Sequence, residues 1–215
     1  MSVMTGDEKH GASATSTLDV LWVLYDKVLR VSPEQPDAAD RDRFLLSKGH
    51  GPMAYYSVLA AKGFVPLDEL ATFGRAGSTL GHHPDRTLVA GVEMSSGSLG
   101  HGLPLATGTA LGLRAQGRTE PRVFCLIGDG ELDEGSNHEA IAFAGTQKLE
   151  SLTAIVIDNK SATHGWQGGI ADRFSREGWS AVTVDGRDHG RIEQALTMRH
   201  TGRPHAVIAT TETGR

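Results

Sequence analysis

The sequence predicts an α/β protein with a mainly parallel sheet and helices on both faces. Three observations carry this expectation. Apolar, β-branched runs recur at 122–127, 152–157, 181–184 and 206–210. Helical segments near 134–148, 169–178 and 187–200 separate them. The first run, VFCLI at 123–127, reads as a strand covered on both sides. Strands joined through helices form right-handed crossovers, which set neighbouring strands parallel and lay the helices over the sheet.

The earlier part of the chain supplies covering helices. Leu18, Leu21, Trp22, Tyr25, Val28 and Leu29 fall on one helical stripe, expected to be core. VSPEQPDAADRD at 31–42 is polar with two prolines and reads as an ordered surface loop. A short helix is predicted over 52–62, stopped by Gly63. Residues 100–116, rich in Ala, Gly and Leu, suit a helix packed closely against another surface.

Composition narrows the function classes. A chain of 215 residues, 39% hydrophobic, can bury a core as a single domain over 1–215. A net charge of −5 gives no footprint for nucleic acid or an anionic membrane. The single cysteine, Cys125, lies inside an apolar run and is expected to be a buried, inert thiol. The first residues lack the apolar core of a signal peptide, and no stretch reaches membrane-spanning length. A cytoplasmic location is the expectation. The 27 glycines show no period, and no solenoid repeat is present.

The join after the 123–127 strand poses the functional question. CLIGDGELDEGSNHEA brings Asp129, Glu131, Asp133 and Glu134 directly behind a buried strand. In parallel sheets ligands bind beyond the carboxyl ends of the strands. Glu131 and Asp133 read as a solvated, acidic first helical turn, favoured by the helix dipole. A calcium loop starting at Asp129 fails, because Glu134 and Ala140 stand where it needs Gly and Glu. Asp129 is the lone acid between two glycines, and 28 residues separate Gly130 from Asn159, itself at a strand end. A carboxylate and an amide oxygen at adjacent strand ends form half a shell for a hard cation, with phosphate and water completing it. Gly130 bears no side chain to keep a phosphate from its backbone. A Mg²⁺-bound diphosphate is the predicted occupant.

Here the chain resembles a known family. GDG followed at this spacing by Asn is the signature of thiamine diphosphate enzymes. With DRFLLSKGHG and GHHPDRTLVAGVEMSSGSLGHGL, it is similar to the diphosphate-binding domain of transketolase, from about His10 to Gly214. The SLGHGL form resembles the small subunit of two-subunit transketolases.

The resemblance implies thiamine diphosphate as cofactor and Mg²⁺ as metal, with Ca²⁺ or Mn²⁺ as substitutes. Asp129, Asn159 and the backbone carbonyl of Ser161 then match the metal ligands. Gly130 matches the diphosphate contact, and Gly97 and Leu99 the aminopyrimidine side. His50 matches a histidine near diphosphate and substrate, and His83 one that meets sugar hydroxyls. His10 matches another substrate-facing histidine; Glu134 and Glu139 match acids joining cofactor sites across the interface between subunits. A one-residue slip would exchange His82 and His83. His138, His189, His200 and His205 read as ordinary surface or core residues. A zinc site from His82, His83 and His101 lacks supporting spacing.

Lys9 stands where the family has glycine, His164 where it has Asp, and Ser161 where it has an apolar residue. Relatives continue beyond TTETGR into a segment carrying another diphosphate-side histidine. The implied activity is transfer of a two-carbon glycolaldehyde unit from a ketose donor to an aldehyde acceptor. The implied partner is a separately encoded C-terminal, pyrimidine-binding subunit, in a heterotetramer. The alternatives are a subunit of a decarboxylating synthase and a non-catalytic partner that keeps the fold.

Overall fold

The computed structural model describes residues 1–4, 11–162 and 165–211, with side chains in the first helix from residue 15 onward. Its centre is a five-stranded parallel sheet in the order β1-β2-β3-β5-β4. The strands are β1 (Arg43–Leu46), β2 (Val123–Gly128), β3 (Leu152–Asp158), β4 (Ser180–Asp185) and β5 (His205–Thr210). Among the described residues six α-helices accompany them: α1 (Gly11–Val23), α2 (Met53–Ala61), α3 (Gly102–Ala115), α4 (Gly135–Thr146), α5 (Gly169–Arg176) and α6 (His189–Thr197).

The register explains the two-sided core. Leu45, Cys125, Ala154, Ala206 and Ala181 form one row across the sheet, and all face the side covered by α3, α4 and α5. The next row, Leu46, Leu126, Ile155, Val207 and Val182, faces α1, α2 and α6. Successive side chains of a strand point to opposite faces, so strands buried on both must be apolar throughout. Each fully buried Leu or Ile in these rows contributes about 1.5–3 kcal/mol. Cys125 is buried as expected, and burial pushes its thiol up. No helix among the described residues is long and apolar enough to cross a membrane.

The edge strand β1 is absent from the sequence reading, although its residues lie in the motif DRFLLSKGHG. It is held at its start by Asp42, fully buried, which accepts from the backbone N–H and guanidinium of both Arg30 and Arg122. Burial would raise the Asp42 carboxyl, but those hydrogen bonds outweigh it and hold the group low. Trp22 departs from the expected core: it is 37% exposed, with the Lys62 ammonium 4.6 Å above its ring. Leu21 and Leu24 take the buried positions on either side of it, and a π-turn follows at Leu24–Val28, with Tyr25 and Val28 buried.

The chain fills β1, β2 and β3 side by side, passes over one position to the edge strand β4, and returns to place β5 between them. Leu46, Gly128, Asp158, Asp185 and Thr210 therefore end their strands at one rim of the sheet.

Candidate functional site

At that rim the last β2 residue is followed by a 3₁₀ turn, Gly130–Asp133, capped by Asp129. The Asp129 N–H donates to the Ile157 carbonyl (3.0 Å), which carries the β2–β3 ladder one residue past the strand. Asp129 is 1% exposed, and its carboxylate accepts from Ser161 N–H (2.8 Å), Ser161 Oγ–H (2.6 Å), Ala162 N–H (3.1 Å) and Gly130 N–H (3.0 Å). The Asn159 Oδ1 accepts from the same Ser161 N–H at 3.2 Å. A carboxylate oxygen and an amide oxygen thus converge on one donor. Asp129, Asn159 and Ser161 are adjacent, joined through the Ser161 N–H and hydroxyl.

This donor set fits a hard divalent cation, which prefers oxygen and accepts a mixture of carboxylate, amide and carbonyl. Among the described residues no three His, Cys, Asp or Glu side chains gather into a metal cage. The Ser161 carbonyl lies 3.8 Å from where a Gly130 side chain would begin, with the Ala162 backbone at 3.7 Å. Gly130 therefore leaves a narrow gap between the β2 turn and the strap after β3. Beside it opens a cleft of about 260 Å³ lined by Asp129, Asp158, Lys160, Ala162, Trp166 and Ile170.

A second group assembles beyond β1. The rings of His50 and His83 meet edge to face, and a Cβ on Gly97 would sit 3.0 Å from the His83 ring. Gly97 has φ +138, a conformation only glycine adopts readily. His82 turns away and packs on Phe73, centroids 5.4 Å apart, so His83 is the neighbour that faces the site group. Leu99 is half-buried, and its carbonyl lies 3.1 Å from the His101 Nδ1. Glu134 and Glu139 are exposed, and the Glu134 stem abuts Gly100. His10 and His164 lie outside the described residues.

Two residues that sequence reasoning passed over stand between these groups. Glu131, expected to be solvated, is 3% exposed. Its carboxylate accepts from Ser47 Oγ–H, from Gly100 N–H (2.9 Å) and from Gly128 N–H (3.2 Å). Burial raises its carboxyl, against the pull of those donors and of Lys48. Lys48 is buried too, with its stem over Gly128, and burial lowers its ammonium to about 8 while Asp129 and Glu131 pull upward. The sequence signal for Lys48 was a lysine two residues behind an apolar run, in LLSKGHG.

The four histidines given ordinary readings have structural partners. His138 stacks on Trp166 at 4.9 Å, and His189 meets Asp19 at 2.8 Å. His200 and His205 stack at 4.4 Å.

Fold and rim together define an α/β domain that gathers hard oxygen donors and imidazoles at one end of a parallel sheet. The family model described as transketolase, thiamine diphosphate binding domain, matches residues 2–215, and the chain belongs to that family. It is 62% identical over 210 residues to a Rhodococcoides fascians protein named ferredoxin fas2, covering 98% of this chain and 69% of that one. It is 35% identical over 214 residues to a Clostridium 6-deoxy-6-sulfo-D-fructose transketolase subunit SqwG, covering 96% and 78%. With a subunit of the apulose-4-phosphate transketolase of Actinobacillus succinogenes it shares 36% over 213 residues, covering 95% and 76%. Among solved structures, Pichia stipitis transketolase in complex with sedoheptulose-7-phosphate superposes with a TM-score of 0.79 at 28% identity, covering 94% of this chain. The chain spans 36% of that structure's length.

Proposed function

We propose that residues 1–215 form one domain that serves as the diphosphate-holding subunit of a split transketolase, moving a two-carbon glycolaldehyde unit from a ketose to an aldehyde-type acceptor. The observation that carries this is the convergence of the Asp129 and Asn159 oxygens on one N–H at the β2 and β3 ends, in a member of this family. Two relatives, of whose length this chain covers 78% and 76%, are named as subunits of transketolases, which supports a separately encoded partner.

Asp129, Asn159 and the Ser161 carbonyl would hold Mg²⁺, and the Gly130 backbone would lie beside the diphosphate. When bound, thiamine diphosphate supplies a nucleophilic thiazolium carbon and an electron sink. The chain's own residues do the remaining work. Lys48, buried with its stem over Gly128, would face the anionic diphosphate. His50 and His83, as a pair, would hold and move protons on donor hydroxyls. Gly97 and Leu99 form the wall toward the aminopyrimidine. His10 would face substrate, and the exposed Glu134 and Glu139 would meet a second subunit. The exposed Leu105 and Phe143 on α3 and α4 suit the same contact, and two copies of each chain give a symmetric heterotetramer.

A decarboxylating synthase on this fold has less use for paired imidazoles aimed at hydroxyls. The name ferredoxin does not transfer to these residues: cysteine-ligated clusters take four thiolates, and this chain has one cysteine, buried. The test is turnover of the purified chain with thiamine diphosphate, Mg²⁺ and a ketose, alone and with its partner. Activity only in the pair supports the reading; robust turnover by the homogeneous single chain contradicts it.

A further inference from the structure

The deepest polar group at the rim is neither a predicted metal ligand nor one of the histidines. Glu131 sits in the 3₁₀ turn behind Asp129, yet its side chain points back under the sheet rim. There it accepts from three loops at once: Ser47 after β1, Gly100 before α3 and Gly128 at the end of β2. Ser47 Oγ in turn accepts from Gly102 N–H (2.9 Å), and Asn137 Nδ2 donates to the Glu131 carbonyl (2.6 Å), tying in the start of α4.

Backbone packing shows why these donors need one shared acceptor. A Cβ on Gly102 would lie 2.2 Å from the Ser47 Cβ, and one on Gly49 would lie 2.6 Å from Ser96 Oγ. The loops approach so closely that water cannot enter to satisfy the inward N–H groups, and a buried carboxylate is a strong acceptor for several at once. Each anchor is within three residues of a candidate site residue: Ser47 of His50, Gly100 of Gly97 and Leu99, Gly128 of Asp129.

We propose that Glu131 is a positioning residue: its carboxylate locks the 47–51, 97–102 and 128–130 loops to one another, and so sets His50, Gly97, Leu99 and Asp129 in a single frame. The locking concerns this chain's own loops. Only its consequence for cofactor rests on the function proposed above.

The test uses the full chain as E131Q and as S47A. The amide of E131Q keeps the size of the side chain but turns an N–H₂ toward at least one N–H or O–H donor. Hydrogen exchange read by peptide should accelerate by about tenfold in the 47–51 and 97–102 loops, with 152–158 of β3 unchanged. S47A should give the same local pattern at smaller amplitude, and the double variant should be no worse than E131Q alone, because both cut one network. Calorimetric titration with thiamine diphosphate and Mg²⁺ should show E131Q binding about tenfold more weakly than wild type. Unchanged exchange in both loops overturns the proposal, as does a uniform acceleration through β3, which marks a general stability role. If E131Q does not fold, S47A decides by the same local criterion. If wild type together with its partner binds no thiamine diphosphate while the local pattern appears, the proposed function fails and the positioning role stands.

Discussion

The His50 and His83 rings lie 5.3 Å apart at 82°, although a loop, α2 and a 3₁₀ turn separate them in sequence. Edge-to-face packing fixes each imidazole plane relative to the other, and Gly97 leaves the room for it. Replacing His83 by Ala in the active complex should lower turnover on the order of 100-fold and raise the donor KM, with cofactor affinity nearly intact. His82→Ala should stay near wild type, because that ring packs on Phe73. Steady-state kinetics of the two variants decides which neighbour serves the site.

Asp129 should carry both metal and strap. Asp129→Asn is expected to abolish Mg²⁺-dependent binding of thiamine diphosphate, measured by calorimetry with and without chelator. Asp129→Ala should in addition lose about 1–3 kcal/mol of stability, since it strands buried N–H groups. That cost goes beyond the cation-holding role that the sequence points to for this carboxylate. The structure shows it also holding Ser161 and Ala162 in place.

Gly145 on α4 should not tolerate a side chain. A Cβ there would fall 1.7 Å from the Glu177 carbonyl oxygen, so α4 must leave the turn after α5. Gly145→Ala should cost about 3 kcal/mol or more, read as a lowered thermal midpoint.

His205 predicts a pH dependence away from the site. Burial, then the neighbouring His200 ring, lowers its imidazole to about 4, against the pull of the Ser180 and Ala195 carbonyls. Above about 6.5 the ring is neutral folded and unfolded, so it adds no slope. Below that, the unfolded chain takes up a proton that the folded chain refuses until about 4. Stability should therefore fall by about 1–3 kcal/mol as pH drops through that window, then level off. Chemical denaturation across pH should show this slope in wild type and lose it in His205→Gln.

The sheet was legible where strands are long and apolar: 123–127 and 152–157 show nothing but burial, and the register explains why. β1 was not, because its four residues sit between charged flanks and become a strand only by pairing with Phe124 and its neighbours. The Asp129–Asn159 pairing was legible because both acceptors stand directly at strand ends. Glu131 was not: a carboxylate near a helix start reads as solvated, and its burial comes from Ser47 and Gly100, far away in sequence. Trp22 misled because Leu21 and Leu24 hold the buried face of that helix, and the π-turn at Leu24–Val28 breaks the plain helical spacing.

Two-carbon transfer at the β2–β3 rim is tested most directly by the products of the reaction. The chain, the proposed pyrimidine-binding partner, thiamine diphosphate and Mg²⁺ should be offered ketoses and 2-keto acids, each with an aldehyde acceptor, and the products identified by mass spectrometry. The expected products are an aldose two carbons shorter than the ketose and an acceptor two carbons longer, both lost in Asp129→Asn. Carbon dioxide from a 2-keto acid, with every ketose left intact, would contradict two-carbon transfer.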